Sequence, residues 1–184
     1  MANDVVVHEL THGITNRPTG GGTAACLQTL EARGLGEGWS DAVAEHYREM
    51  ILSFLPDGLN KAALLSLTTA GLRTYPYSID LFVSPPVYAT FWANILHNVY
   101  AALVQAHGWS STAFTDPDTA HDNAVFMRLL FDALSFQPCN PTAFVSARDA
   151  RIEADDTHYA GAHYRGLGVT AANFVDDASV PAGC

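Results

Sequence analysis

Two histidines near the start of the sequence have the spacing of metal ligands. The segment "HELTHGITNRPTGG" begins at His8 and contains the pattern HExxH, which ends at His12. Side chains at positions i and i+4 lie on the same face of a helix, so both imidazoles can bind one zinc ion. Glu9 follows His8, where HExxH hydrolases have the glutamate that polarises a zinc-bound water and carries its proton. The alternative is a pair of surface histidines on an ordinary helix.

A second acidic motif, in "GLGEGWSDAVAEHY", provides a candidate third ligand. Glu37 begins a predicted helix, and Asp41 lies four residues later on the same helical face. Glu37 is therefore the predicted third zinc ligand. Asp41 is predicted to accept the other ring N–H of a ligand histidine and so to fix its tautomer. The alternative for these two residues is an acidic helix face exposed to water.

The elements that must position these residues are predicted to be helices. We expect helices over about 5–16, 26–33, 37–55, 59–72, 89–108, 123–137 and 141–155. Glycines and prolines predict loops over 18–24 and 73–88 and a break at 56–58. The expected core residues are Trp39, Trp92, Phe126, Leu130 and Phe131. With neither repeats nor the alternation of a sheet, the sequence indicates a mainly α fold in a single domain over 1–184.

Composition narrows the classes of partner. The chain has 184 residues, 48% of them hydrophobic, which is typical of a globular domain. Its net charge of -10 argues against nucleic acid, because an acidic surface repels phosphates. No run of about 20 apolar residues predicts a membrane span, and the N-terminus "MANDVVVHEL" does not have the pattern of a signal peptide.

Taken together, these motifs resemble the fungalysin family of secreted fungal zinc metalloendopeptidases, which are relatives of thermolysin. The resemblance extends through "RTYPYSIDL", "WANILHNVYAALVQAHG", "FDALSFQPCNPTAFVSARDARIEAD" and "RGLGV". It implies Zn²⁺ bound by His8, His12 and Glu37, Glu9 as the general base, and Asp41 as the partner of a ligand histidine. It also implies an extracellular protease of protein or peptide substrates. The implied fold is the helical C-terminal lobe of a thermolysin-like metallopeptidase, starting at the HExxH helix.

Two departures from the family lead to alternative expectations for activity. Because the sequence starts at the HExxH helix, we expect the signal peptide, propeptide and β-containing N-terminal lobe to be absent, and we expect activity to depend on that lobe. A family histidine implied to stabilise the oxyanion is missing between Tyr88 and Trp92. The leading hypothesis is a zinc-dependent metalloendopeptidase that hydrolyses peptide bonds through a zinc-activated water. The alternative is a truncated, weakly active or inactive zinc-binding paralogue, or an incomplete gene model.

The other histidines and the cysteines have no predicted part in the site. His97 is interpreted as an ordinary helix residue, and His107 is expected to interact with the C-terminus of its helix. His163 has no partner motif and is assigned no role. Cys26 and Cys139 match cysteines of the family, but the sequence does not establish a disulfide between them.

Overall fold

The helices that position the site are seen in a computed structural model, which describes residues 3–53, 85–113, 115–116, 121–141 and 143–164. Within these residues the chain is helical and has no strand, which confirms the mainly α fold. The helices are α1 (Asn3–Asn16), α2 (Thr19–Gly22), α3 (Leu30–Ser53), α4 (Pro85–His107), α5 (Asp122–Phe136) and α6 (Ala143–Tyr159). The predicted break at 56–58 and helix over 59–72 lie outside the described residues.

Helix α3 corrects one expectation from the sequence. Separate helices over 26–33 and from residue 37 were expected, but Leu30–Ser53 is one continuous helix. The glycines at 34, 36 and 38 each disfavour a helix interior by about 1 kcal/mol relative to alanine. Leu35 and Trp39, one turn apart, are both fully buried, and this packing stabilises the helix against the glycines.

Helix α4 begins earlier than the sequence predicts. The expected start was residue 89, whereas the observed helix starts at Pro85. Proline is tolerated in the first turn of a helix, where its missing N–H would have no intrahelical acceptor. Pro85 and Pro86 therefore lie in the first turn of the helix and do not interrupt it.

The main core lies where α3, α4 and α5 meet. The Trp39 and Trp92 rings are in an edge-to-face arrangement, with centroids 4.9 Å apart. Phe126 and Leu130 of α5 are also buried, as expected, whereas Phe131 is only partly buried against this core. Trp39 lies two residues after Glu37 on α3. Its contact with Trp92 holds this part of α3 against α4, so packing in the core also determines where Glu37 lies.

A disulfide joins the segment before α3 to the segment after α5. Cys26 and Cys139 are bonded to each other, with their Cα atoms 4.6 Å apart. The backbone N–H of Leu27 donates to the carbonyl of Cys139 at 2.8 Å, which holds the two segments together. Gly20 lies against this bridge with a positive φ of 64°, and a Cβ there would be 2.5 Å from the Cα of Cys139. Only glycine fits this close approach.

Among the described helices, none is long and apolar enough to cross a membrane.

Candidate metal centre

Helices α1 and α3 pack against each other and bring the two sequence motifs together. The Nε2 atoms of His8 and His12 are 3.1 Å apart. The Glu37 carboxylate faces both, with Oε2 at 3.3 Å from Nε2 of His8 and Oε1 at 3.6 Å from Nε2 of His12. Three side chains that can ligate a metal therefore converge on one point, two from α1 and one from α3.

The other ring nitrogen of each histidine is held by a residue of α3. Nδ1 of His8 lies 3.0 Å from Oδ1 of Asp41, which is a hydrogen-bond acceptor when ionised. Nδ1 of His12 lies 3.2 Å from the hydroxyl oxygen of Ser40. The Ser40 hydroxyl donates its own hydrogen to the carbonyl of Gly36 at 3.1 Å, so Nδ1 of His12 is the donor in their contact.

These contacts assign the ring protons. With Nδ1–H donating in both rings, the neutral imidazoles carry no proton on Nε2, and both lone pairs point into the cluster. Two lone pairs and a carboxylate within hydrogen-bond distance repel one another unless a cation lies between them. The arrangement therefore favours occupation by a positive ion.

The separations also fit the size of a zinc site. Zinc bonds of about 2.0–2.2 Å in tetrahedral geometry place neighbouring ligand atoms about 3.3–3.6 Å apart. The three closest separations here, 3.1, 3.3 and 3.6 Å, are close to that range. Two histidines and one glutamate form the donor set of thermolysin-type catalytic zinc sites, with a fourth position left open.

The cluster is accessible to solvent. The side chains of His8, His12 and Glu37 are 17%, 27% and 42% exposed. Glu9, the residue after His8 on α1, is also exposed. An exposed carboxylate beside a partly exposed ligand set can be reached by water and by a peptide, which suits a catalytic site better than a closed structural one.

His97, which the sequence analysis interpreted as an ordinary helix residue, contacts a different part of α3. Its Nδ1 lies 3.1 Å from Oε1 of Glu45, and this carboxylate raises the pKa of His97. Glu45 is eight residues after Glu37, which corresponds to about 12 Å along the helix axis. The contact thus lies two turns beyond the cluster of His8, His12 and Glu37.

His46 is also separate from the cluster and belongs to the buried interior. Its ring lies edge-on to Tyr100 at a centroid distance of 5.4 Å. Burial lowers the pKa of His46 to about 4, because the charged imidazolium is poorly solvated there. At neutral pH this histidine is therefore an uncharged part of the core.

Sequence reasoning identified His8, His12, Glu37 and Asp41 as neighbours, and the structure brings all four together. Sequence reasoning did not identify Ser40. The only signal was its position, three residues after Glu37 and next to Asp41, which places it on the same face of α3.

Comparison with known proteins identifies the family. The family model for fungalysin metallopeptidase (M36) matches residues 1–172. The chain is 36% identical to "Extracellular metalloproteinase MEP" of Pyricularia oryzae, over 97% of this chain and 33% of the relative. It is 36% identical to "Extracellular metalloproteinase 4" of Arthroderma otae, over 98% of this chain and 32% of the relative. The chain thus spans about a third of the length of these curated relatives. With its HExxH helix and the acidic helix that faces it, this chain belongs to the fungalysin metallopeptidase family.

Proposed function

We propose that this chain carries the zinc site of a secreted metalloendopeptidase. His8, His12 and Glu37 are the zinc ligands, and Glu9 is the general base. The observation that supports this most is the convergence of two ring nitrogens and one carboxylate at separations that suit zinc. Because the chain spans about a third of its relatives, peptide hydrolysis and its substrates are part of the proposal.

Each side chain has a defined task in this reaction. Bound zinc supplies a Lewis acid, which polarises a carbonyl and makes water more acidic near neutral pH. Glu9 takes the proton of the attacking water and delivers it to the amide nitrogen as the peptide C–N bond breaks. Asp41 and Ser40 hold the imidazoles of His8 and His12 through Nδ1, which leaves Nε2 of each ring available to bind the metal.

The relatives' names support the proposed substrates and location. Both are called extracellular metalloproteinases. For this chain we propose protein or peptide substrates outside the cell, with no nucleic acid among its partners. The net charge of -10 supports the exclusion of nucleic acid, because an acidic surface repels phosphates.

A second candidate function is zinc binding with weak catalysis. The histidine that the family resemblance implies as an oxyanion donor is missing between Tyr88 and Trp92, where α4 runs as a continuous helix. The nearest histidine along that helix, His97, is paired with Glu45. Loss of one oxyanion donor typically lowers kcat by about 10²–10³-fold. Such a protein would bind zinc at His8, His12 and Glu37 and turn over slowly.

One set of variants tests both candidates. Zinc content and casein hydrolysis are measured for the purified protein and for Glu9→Gln, Glu37→Gln and Glu153→Gln. Glu153 is exposed on α6 and serves as the matched control for removing a surface carboxylate. For the enzyme, we expect Glu9→Gln to retain zinc and lose hydrolysis, Glu37→Gln to lose the zinc ion of this site together with hydrolysis, and Glu153→Gln to lose neither.

The outcomes separate the candidates. A protein that binds zinc through Glu37 but has no hydrolysis sensitive to Glu9→Gln supports the weakly catalytic zinc-binding protein. Zinc content unchanged by Glu37→Gln and by a second ligand variant, His12→Gln, would contradict both.

A further inference from the structure

A second cluster of histidine and carboxylate groups lies where α4 ends and α5 begins. His107 is the last residue of α4, Asp122 is the first residue of α5, and His163 lies in the turn after α6. Oδ2 of Asp122 contacts Nδ1 of His107, and Oδ1 of Asp122 lies 3.7 Å from Nε2 of His163. One ligand atom from each residue lies within 4.8 Å of the other two, so a single metal ion can reach all three.

The ring proton of His163 is on the nitrogen that faces away from the cluster. Its Nδ1 lies 3.0 Å from Oδ1 of Asp155, a buried carboxylate. Asp155 also accepts the backbone N–H of His163 at 3.2 Å and that of Tyr164 at 2.8 Å. A carboxylate that orients a histidine through its other nitrogen is the arrangement found around bound metal ions. The lone pair on Nε2 of His163 is thereby directed at Asp122.

Asp122 has an oxygen that the described residues leave without a hydrogen-bond donor. The residue is fully buried, and its Oδ1 has no such partner in the part of the chain that the structure describes. A buried carboxylate oxygen without a partner is costly, and here it faces the lone pair of His163. A cation between them would satisfy both groups. The 3.7 Å between Oδ1 of Asp122 and Nε2 of His163 is too long for a direct hydrogen bond between them.

The surrounding backbone favours a cation and holds the ligands in place. The carbonyl end of α4, where His107 lies, carries partial negative charge, which favours a nearby cation. The N–H of Asp122 donates to the carbonyl of Gly108 at 3.2 Å. The Asn123 amide donates to the carbonyl of Ser110 at 2.7 Å and accepts the Ser110 N–H at 3.0 Å. The two helix ends are therefore fixed relative to each other.

From this geometry we infer a second zinc-binding site formed by a ring nitrogen of His107, the carboxylate of Asp122 and Nε2 of His163. Two histidines and one carboxylate are ligands that suit zinc. The His107 side chain is 44% exposed, which gives the ion access to the buried Asp122. The bound ion would link α4, α5 and the turn after α6, so its role is structural. It shares no residue with the cluster of His8, His12 and Glu37, and it does not depend on the proposed protease activity.

The test counts zinc ions per chain and assigns each to its residues. The purified full chain is equilibrated with Zn²⁺, and bound metal is measured by mass spectrometry of the intact folded protein. The measurement is repeated for His107→Gln, His163→Gln and His12→Gln. His158→Gln is the matched control, because His158 is 43% exposed and also lies 3.1 Å from an aspartate oxygen, that of Asp132. His107→Gln changes the most exposed ligand and is the variant that disturbs folding least.

We expect two zinc ions in the wild-type chain and in His158→Gln. We expect one in His107→Gln, in His163→Gln and in His12→Gln, and none in the variant that combines His107→Gln with His12→Gln. Zinc should also raise the urea midpoint of His12→Gln but not that of the combined variant.

Other results would overturn the inference. If the wild-type chain binds one ion and His12→Gln abolishes that binding, the result would support the proposed protease site and contradict this second site. Two ions retained in both His107→Gln and His163→Gln would also exclude these residues as ligands. One ion that only His107→Gln and His163→Gln abolish would instead support this site and contradict the proposed protease site.

Discussion

Replacing Asp41 with asparagine tests how α3 positions His8, a proposed zinc ligand. Oδ1 of Asp41 lies 3.0 Å from Nδ1 of His8, and the Asp41 side chain is 9% exposed. Asparagine keeps an acceptor oxygen at this position but removes the negative charge, so the ring donates a weaker hydrogen bond and becomes a weaker zinc ligand.

The expected loss of zinc affinity follows from what happens when a residue that hydrogen-bonds a metal ligand is removed. Their loss typically lowers metal affinity by about 10- to 100-fold, or about 1.4–2.7 kcal/mol. We expect Asp41→Asn near the lower end of this range, because the geometry of the hydrogen bond can be kept. We expect Asp41→Ala near the upper end, because the His8 N–H then loses this acceptor.

The assay is competition for zinc with a chromophoric chelator at fixed pH. Both variants are made in a His107→Gln background, so that zinc at the second proposed site does not contribute. The unfolding of the zinc-free chains in urea shows whether the substitution acts on the site or on the whole fold. If both variants bind zinc within about twofold of the parent while remaining folded, Asp41 does not tune the site, and our reasoning about its charge is wrong.

Three further outcomes are expected. Ser40→Ala should weaken zinc binding by about 2- to 12-fold, because a neutral hydrogen bond to His12 contributes about 0.5–1.5 kcal/mol. The same chelator competition measures this loss, and a loss as large as that of Asp41→Ala would contradict the expectation that Asp41 affects zinc affinity more than Ser40. The pKa of His46 is lowered to about 4 by burial, so the unfolded chain binds more protons than the folded one between about pH 4 and 6.5, and stability falls as pH falls through that window. Urea unfolding should show a loss of about 3 kcal/mol from this group, and His46→Gln should remove that slope; an unchanged slope would mean that other groups cause it. Replacing Cys26 and Cys139 with serine opens a link across 113 residues of sequence and should lower the free energy of unfolding by about 2–5 kcal/mol, whereas a change below 1 kcal/mol would mean that the bridge constrains the unfolded chain little.

Local spacing explains why most of the candidate metal centre could be predicted. His8 and His12 are one turn apart on one helix, and Glu37 and Asp41 are one turn apart on another, so each pair shares a face whatever the rest of the chain does. Helix periodicity also predicted the mainly α fold. That the two faces meet was predicted because a zinc site needs a third ligand, and the family resemblance implied it too. The sequence spacing between separate helices does not by itself determine how they pack.

The error in the predicted start of α3 has a physical cause in the packing of that helix. Gly34, Gly36 and Gly38 suggested a break in what is one helix, because local propensity omits the stabilisation that burying Leu35 and Trp39 provides. Propensity describes an isolated segment, whereas this segment lies in the core and packs against α4.

Ser40 and the second cluster were missed for different reasons. Ser40 lies on the predicted face, but a hydroxyl becomes informative only when its acceptor is known. Here the carbonyl of Gly36 takes the hydroxyl hydrogen, so the oxygen must accept from His12. His107, Asp122 and His163 lie on three separate segments, and no sequence period relates them.

The two clusters share one structural feature that favours metal binding, a carboxylate outside the cluster that orients one of its histidines. In each, a carboxylate outside the cluster accepts from Nδ1 of a histidine, Asp41 from His8 and Asp155 from His163, so that Nε2 points inward without a proton. They differ in access. Glu37 is 42% exposed, whereas Asp122 is fully buried. An ion held by exposed ligands can be reached by a substrate, and an ion on a buried carboxylate mainly stabilises the fold. The same donor set is therefore expected to serve catalysis at the first site and stability at the second.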